Sequence, residues 1–241
     1  MKPNLILIRH GQSEYNLQNR FAGWIDTPLT SEGDRQALAA GDVMKKIGFV
    51  PAEVWASPLL RARKTAGHIL NRLGIPESIV KIDPRLVERS YGGLSGKNKA
   101  ETLAELGEVE FKRIRRGYAV QPPALTQNHP LFGEVEEAFN QHMKGSFAET
   151  LPMTESLKDV VGRVTPFIEN NIKSAISKGK TMLIVAHGNS LRAIIKQIKG
   201  IDDEGINLVE LETAQPTGFV VEMRGNDLHV VEDSLGKTLG A

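Results

Sequence analysis

Cysteine is absent from the 241 residues, which excludes disulfides, thiolate metal sites and a cysteine nucleophile and fits a reducing compartment. No apolar run approaches the ~18–20 residues that a membrane span needs. The N-terminal residues 1–8 lack both an apolar stretch of signal-peptide length and a small-residue cleavage site, so a cytoplasmic protein is expected. Charge of one sign is missing too. Lys+Arg 30 against Asp+Glu 29 gives a net charge of +1, which argues against nucleic acid or an anionic membrane as the main partner. The six histidines show no HExxH or comparable ligand spacing, so no metal site is expected. Gly179-Lys180-Thr181 and Gly236-Lys237-Thr238 end like a phosphate-binding loop. Each lacks the required upstream glycine, because Ser174 and Val231 stand there. Gly92-Gly93-Leu94-Ser95-Gly96 does not fit the dinucleotide fingerprint, and there is neither an internal repeat nor a low-complexity segment.

What is there is globular in character: 40% hydrophobic and 24% charged residues. At this length a chain buries roughly 70–75% of the surface its unfolded form exposes, enough for an ordinary core. Leu5-Ile6-Leu7-Ile8 and Met182-Leu183-Ile184-Val185-Ala186 are unbroken apolar runs rich in branched residues, the pattern of strands buried on both faces. Val54-Trp55-Ala56 is a weaker copy. Helical patterns cover about 31–47, 58–73 (Ser57 as cap, Pro58 at the first helical position), 157–176 and 190–198. Pro166 should kink or split the third of these. Residues 219–222 and 228–231 read as a closing hairpin. The expected fold is therefore α/β: a three-layer α/β/α sandwich around a mostly parallel sheet, one domain over 1–231. The proline-broken stretch 117–153 reads as part of an insertion, about 98–153, too short for its own core, and 232–241 as a flexible tail.

The chemistry concentrates at strand ends, where open α/β sheets bind ligands. Arg9-His10-Gly11-Gln12-Ser13 follows the first strand. A histidine beside an arginine can accept a phosphoryl group on a ring nitrogen while the guanidinium neutralises the transferring oxygens. Gly11 permits close backbone approach, and Ser13 offers a hydroxyl and an N–H to the same anion. Taken alone, His10 reads equally well as a satisfied structural histidine. A second His-Gly, His187-Gly188-Asn189-Ser190, ends the Met182 strand, and Ser57-Pro58 leads into a helix that delivers Arg61 from its first turn. Arg9, His10, Arg61 and His187 together form a phosphate clamp. Glu88, in Leu86-Val87-Glu88-Arg89-Ser90-Tyr91, is the candidate acid/base. On its own it reads as readily as the partner of Arg89.

Arg9-His10-Gly11, Ser57-Pro58 with Arg61, Glu88 and His187-Gly188 resemble the histidine phosphatase superfamily. Within it, the resemblance to the cofactor-dependent phosphoglycerate mutases runs from about residue 4 to about 223. It rests further on residues 19–24, 98–102, Arg115-Arg116-Gly117-Tyr118 with Pro122-Pro123, and residues 187–192. The resemblance implies interconversion of 3-phosphoglycerate and 2-phosphoglycerate, in glycolysis and gluconeogenesis, through a phosphohistidine at His10 primed by 2,3-bisphosphoglycerate, without a metal. It implies Glu88 as proton donor and acceptor, and Arg9, Arg61 and His187 as phosphoryl stabilisers. Ser13, Asn16, Ala22, Gly23, Arg89, Tyr91, Lys99, Arg115, Arg116, Gly188 and Asn189 would bind substrate, under a cover supplied by the insertion. A bisphosphorylated three-carbon acid carries up to about five negative charges, so a locally basic pocket must hide within the near-neutral total. A homodimer or homotetramer is implied. The chain departs from the mutase pattern at Ala22 (usually threonine or serine), Ser90 (often histidine) and Gln12 (often glutamate), and it matches poorly over 124–150. The alternative is a phosphatase of the same superfamily acting on another small phosphate monoester.

Overall fold

The computed structural model describes residues 2–237 and 239. In chain order its elements are β1 (Leu5–Arg9), α1 (Glu14–Leu17), α2 (Ser31–Lys46), β2 (Glu53–Ala56), α3 (Leu60–Leu73), β3 (Val80–Ile82), α4 (Lys99–Arg116) and α5 (Phe132–His142), followed by α6 (Leu157–Phe167), α7 (Lys173–Ser177), β4 (Met182–Ala186), α8 (Gly188–Lys199), β5 (Thr217–Arg224) and β6 (Asp227–Asp233). The strands lie in the order β3-β2-β4-β1-β5-β6. The first four in chain order run parallel, and the closing β5–β6 hairpin is antiparallel.

The unbroken apolar runs of β1 and β4 have a simple cause, since neither face of these strands meets water. Leu5, Leu7, Met182, Ile184 and Ala186 pack with Val160, Val164, Phe167, Leu191 and Ile194 of α6 and α8. The alternate residues Ile6, Ile8, Leu183 and Val185 pack with Ala40, Met44, Ala62, Ala66 and Ile69 of α2 and α3. A period of two thus divides each strand between two helical layers, giving the expected sandwich. Register then sets the site. Arg9 pairs with Ala186 and Ala56 with Val185, so three strands end level and deliver His10, Ser57 and His187 to one place.

Three local expectations are corrected. Helix α3 starts at Leu60 with no side-chain cap. Ser57 is committed to His187, and Asp26 Oδ1 instead accepts the Leu60 N–H at 2.7 Å. At Pro166 the helix is split, as expected: α6 ends at Phe167, one residue on. One π-helical stretch, Ile168–Ile172, then leads into α7. The insertion does carry buried apolar residues. Leu125, Val135, Ala138, Phe139 and Met143 close over Trp24, Ile25, Leu59 and Val87 as a satellite core. The tail begins as sheet, with β6 running to Asp233 and Leu239 packed against the α2–α3 layer, while residues 238, 240 and 241 lie outside the described residues. Among the described residues, no helix is long and apolar enough to cross a membrane.

Candidate active site

His10 is 3% exposed at the end of β1. Its Nδ1 lies 2.7 Å from the Gly11 carbonyl oxygen, which can only accept. The proton therefore sits on Nδ1, and the lone pair on Nε2, where Arg61 Nε donates at 3.3 Å. Burial, then the charges of Arg61 and Arg9, push the His10 imidazole well below its usual pKa. A neutral imidazole with its lone pair on Nε2 is a ready nucleophile. The His187 ring stands 5.0 Å away, centroid to centroid. Its Nε2 pairs with Ser57 Oγ at 2.8 Å, and its Nδ1 is buried without a hydrogen-bond partner. Burial, then Arg61 and His10, hold it neutral as well.

Arg61 is 1% exposed and reaches back to the carbonyls of Ile25 at 2.9 Å and Gly23 at 2.8 Å. Burial lowers its pKa to about 10, which leaves it charged at neutral pH. Glu88 Oε1 accepts from the Arg89 N–H at 2.8 Å and from the Asn189 N–H at 3.1 Å. The second of these donors comes from the N-terminal turn of α8, which tethers the carboxylate to the strand end that bears His187. Beside it opens a pocket of about 90 Å³ lined by Arg9, Lys99, Arg115, Arg116 and Arg192, with Glu88 and Glu210 as the only carboxylates and Tyr91, Gly188, Asn189 and Leu211 completing the wall. Nε of Arg9 and Nε of Arg192 are buried without partners. Burial, then Arg115 and Arg9, lower Lys99 to about 8, and burial, then Arg116, lowers Arg192 to about 10. So many cations converging with so little compensation describes a site for a small polyanion.

The chain matches the profile of the histidine phosphatase superfamily, branch 1, over residues 5–131 and 125–234. This chain belongs to the histidine phosphatase superfamily. A protein of Novosphingobium aromaticivorans named 2,3-bisphosphoglycerate-dependent phosphoglycerate mutase is 43% identical over 233 residues, 95% of this chain and 96% of its own. One of the same name from Sphingopyxis alaskensis is 43% identical over 91% of this chain and 93% of its own. Among solved structures, the mycobacterial glucosyl-3-phosphoglycerate phosphatase superposes with a TM-score of 0.72 at 22% identity, covering 97% of this chain and 98% of its own. That likeness shows the fold.

The site residues expected from sequence fall into three groups here. Arg9, Glu88, Tyr91, Lys99, Arg115, Arg116, Gly188 and Asn189 line the pocket, and His10, Arg61 and His187 sit buried at the strand ends. The others are engaged elsewhere. Ser13 N–H and Oγ both lie 3.1 Å from Asn16 Oδ1, so these two residues cap α1 for each other. The Gly11 N–H goes to Thr65 Oγ1, and its missing side chain makes room for Gly33 of α2, whose carbonyl oxygen would lie 2.4 Å from a Cβ. Gly23, at φ +52°, gives its carbonyl to Arg61, and half-buried Ala22 accepts the Ile25 N–H. Arg89 is fully buried and donates to the carbonyls of Ile114 and Arg115. It fixes the end of α4 that carries Arg115 and Arg116.

Sequence reasoning missed Glu210, and it quoted Ser57 and Arg192 only within motifs, with no role of their own. Arg192 was findable, because it stands three residues after Asn189, on the same face of α8, and bonds its Oδ1 at 3.2 Å. Glu210 carries no motif. Its carboxylate pairs with Arg116 across the pocket mouth, so an incoming anion has to displace it. Glu210→Gln should therefore lower the KM for a phosphorylated substrate, by up to about fivefold, since a half-exposed pair is worth ~0–1 kcal/mol. Steady-state kinetics checks this, and a raised KM would mean that Glu210 helps to hold substrate. Lys99 sets a pH limb of opposite origin. Its lowered pKa means that the charged, anion-attracting form is full below pH 7 and lost as pH rises through about 8. kcat/KM should fall above that pH, and Lys99→Arg should carry the plateau to higher pH.

Proposed function

We propose that this protein is an isomerase that interconverts 3-phosphoglycerate and 2-phosphoglycerate through a phosphohistidine at His10. The observation that carries the reading is the pairing of two neutral buried imidazoles at level strand ends with a wall of five cations. The pattern of 43% identity to proteins named for that reaction supports it. The unpartnered Nε atoms of Arg9 and Arg192 fit a bisphosphorylated acid. 2,3-Bisphosphoglycerate would supply the phosphoryl group that first charges His10. Lys99, Arg115 and Arg116 would hold the anionic group not being transferred, and Ser13, Asn16, Ala22, Gly23, Arg89, Tyr91, Gly188 and Asn189 would shape or border the substrate site.

His10 Nε2 attacks phosphorus in line, and Arg9, Arg61 and His187 spread the charge that develops on the equatorial oxygens. Glu88 gives a proton to the departing oxygen and takes it back from the attacking hydroxyl in the return half. Water must stay out while the acid reorients, because hydrolysis of the phosphohistidine would make the enzyme a phosphatase. Helices α4 and α5, within the 98–153 insertion of the single 1–231 domain, form the cover. No metal ion is given a role. The setting is cytoplasmic, in glycolysis and gluconeogenesis, as a homodimer or homotetramer. The test adds 2,3-bisphosphoglycerate at catalytic amounts and follows isomerisation of 3-phosphoglycerate, with mass spectrometry to locate the phosphoryl group. Acceleration with the label on His10 is expected. Release of inorganic phosphate alone, or faster turnover of another monoester, would favour the phosphatase reading.

A further inference from the structure

Glu88 lies in irregular backbone between two single helical turns, Pro84–Leu86 and Gly92–Leu94. The Asn189 N–H at the start of α8 ties its carboxylate to a helix, but no strand or helix fixes its backbone. The segment is held instead by a buried ion pair. Arg163, on α6, donates from Nη1 to the Arg85 carbonyl at 2.6 Å and from Nη2 to the carbonyls of Val87 and Glu88 at 2.9 Å each. Glu155 grips the other side. Its Oε2 accepts the Ser90 N–H at 2.9 Å, and its own N–H donates to the Ser90 carbonyl at 3.1 Å. The two side chains meet Nε to Oε1 at 2.8 Å and Nη2 to Oε2 at 3.2 Å. They are 4% and 5% exposed, and neither lines the pocket. The Trp24 indole adds a further donor to the Glu88 carbonyl at 2.6 Å.

A pair buried this deeply is a poor device for stability, because desolvating two charges offsets most of their attraction. What it provides is direction: a rigid guanidinium fork fixes several acceptors at set angles, which apolar packing could not do. We propose that Glu155 and Arg163 are positioning residues that aim the Glu88 carboxylate at the transferring oxygen without touching substrate. The proposal rests on the reading of Glu88 as proton carrier. In that step the P–O bond to the departing oxygen breaks as the bond from His10 Nε2 to phosphorus forms, and the Glu88 proton passes to that oxygen. A carboxylate turned aside slows this transfer while leaving the contacts of Lys99, Arg115 and Arg116 to the distal anion in place.

The test compares Glu155→Gln and Arg163→Lys, each alone and combined with Glu88→Gln, in isomerisation of 3-phosphoglycerate primed by 2,3-bisphosphoglycerate. Each single variant should stay folded by circular dichroism and lose about 10–100-fold in kcat, the scale of an ~1 Å misplacement. KM should stay within about twofold, because ground-state binding is untouched. On the Glu88→Gln background neither should cost anything more, since the group they aim is gone. Losses that multiply across the two sites would overturn the proposal. So would losses confined to KM, or unfolding of both variants at assay temperature. An unaltered kcat in Glu88→Gln alone would remove the proton-carrier reading itself and the positioning role with it, a result distinct from multiplying losses.

Discussion

Replacing His10 by alanine should lower turnover on the order of 10⁴-fold or more, the range seen when an enzyme loses its nucleophile. Isomerisation and any hydrolysis should fall together, since both pass through the same phosphorylated nitrogen. The fold should survive. β1 is held by in-register pairing with β4 and by the apolar layers on both its faces, none of which involves the imidazole. Circular dichroism and the melting temperature verify that point, and incubation with 2,3-bisphosphoglycerate should leave no phosphoryl group on the protein. A variant that keeps more than a small fraction of wild-type turnover would overthrow the phosphohistidine route. Protonation of the wild-type imidazole should matter only in acid. Its pKa is depressed, so the neutral form persists well below pH 6.5, and the nucleophile should not produce a rate loss near neutrality.

Glu88→Gln should be the second most damaging change, lowering kcat about 10²–10⁴-fold, the usual share of a positioned proton carrier. The amide oxygen can still accept the N–H groups of Arg89 and Asn189, so the loop and the N-terminal turn of α8 should keep their places. Removing one of the two carboxylates that face the five pocket cations should tighten anion binding or leave it unchanged. The expected signature is a collapsed kcat with a KM that does not rise. Single-turnover phosphorylation of His10 should also slow when the departing group is an alkoxide, which needs the proton. It should change little when the donor is an aryl phosphate whose phenolate leaves unaided. Equal slowing with both donors would show that Glu88 serves geometry or charge and carries no proton.

Much of the site was readable because its residues follow buried strands. The apolar runs of β1 and β4 announce themselves through composition alone, and whatever follows such a strand arrives at the ligand-binding edge of the sheet. His10, His187 and Arg61 were found in this way. The helix start at Leu60 was misplaced because Ser57 looks like a cap until His187, 130 residues away, claims its hydroxyl. The satellite core under α5 was missed for a related reason. Its apolar residues are interrupted by prolines and glycines along 117–153, and they become a core only against Trp24, Ile25, Leu59 and Val87.

The sequence by itself determined the layered α/β fold, the family to which the chain belongs and the strand-end position of the proposed nucleophile, His10. Each is encoded locally, in hydrophobic periodicity or in short runs such as Arg9-His10-Gly11. Tertiary structure decided which nitrogen of His10 is free, since the Gly11 carbonyl fixes the proton on Nδ1. It also decided which charges are cancelled and which remain. Ser13 and Asn16 satisfy each other, Arg89 is spent on the end of α4, Glu210 closes on Arg116, and Arg163 with Glu155 holds the Glu88 segment. A charge acts through its distance to other charges and its depth from water. Both depend on residues that lie far apart along the chain, where no periodic pattern reaches.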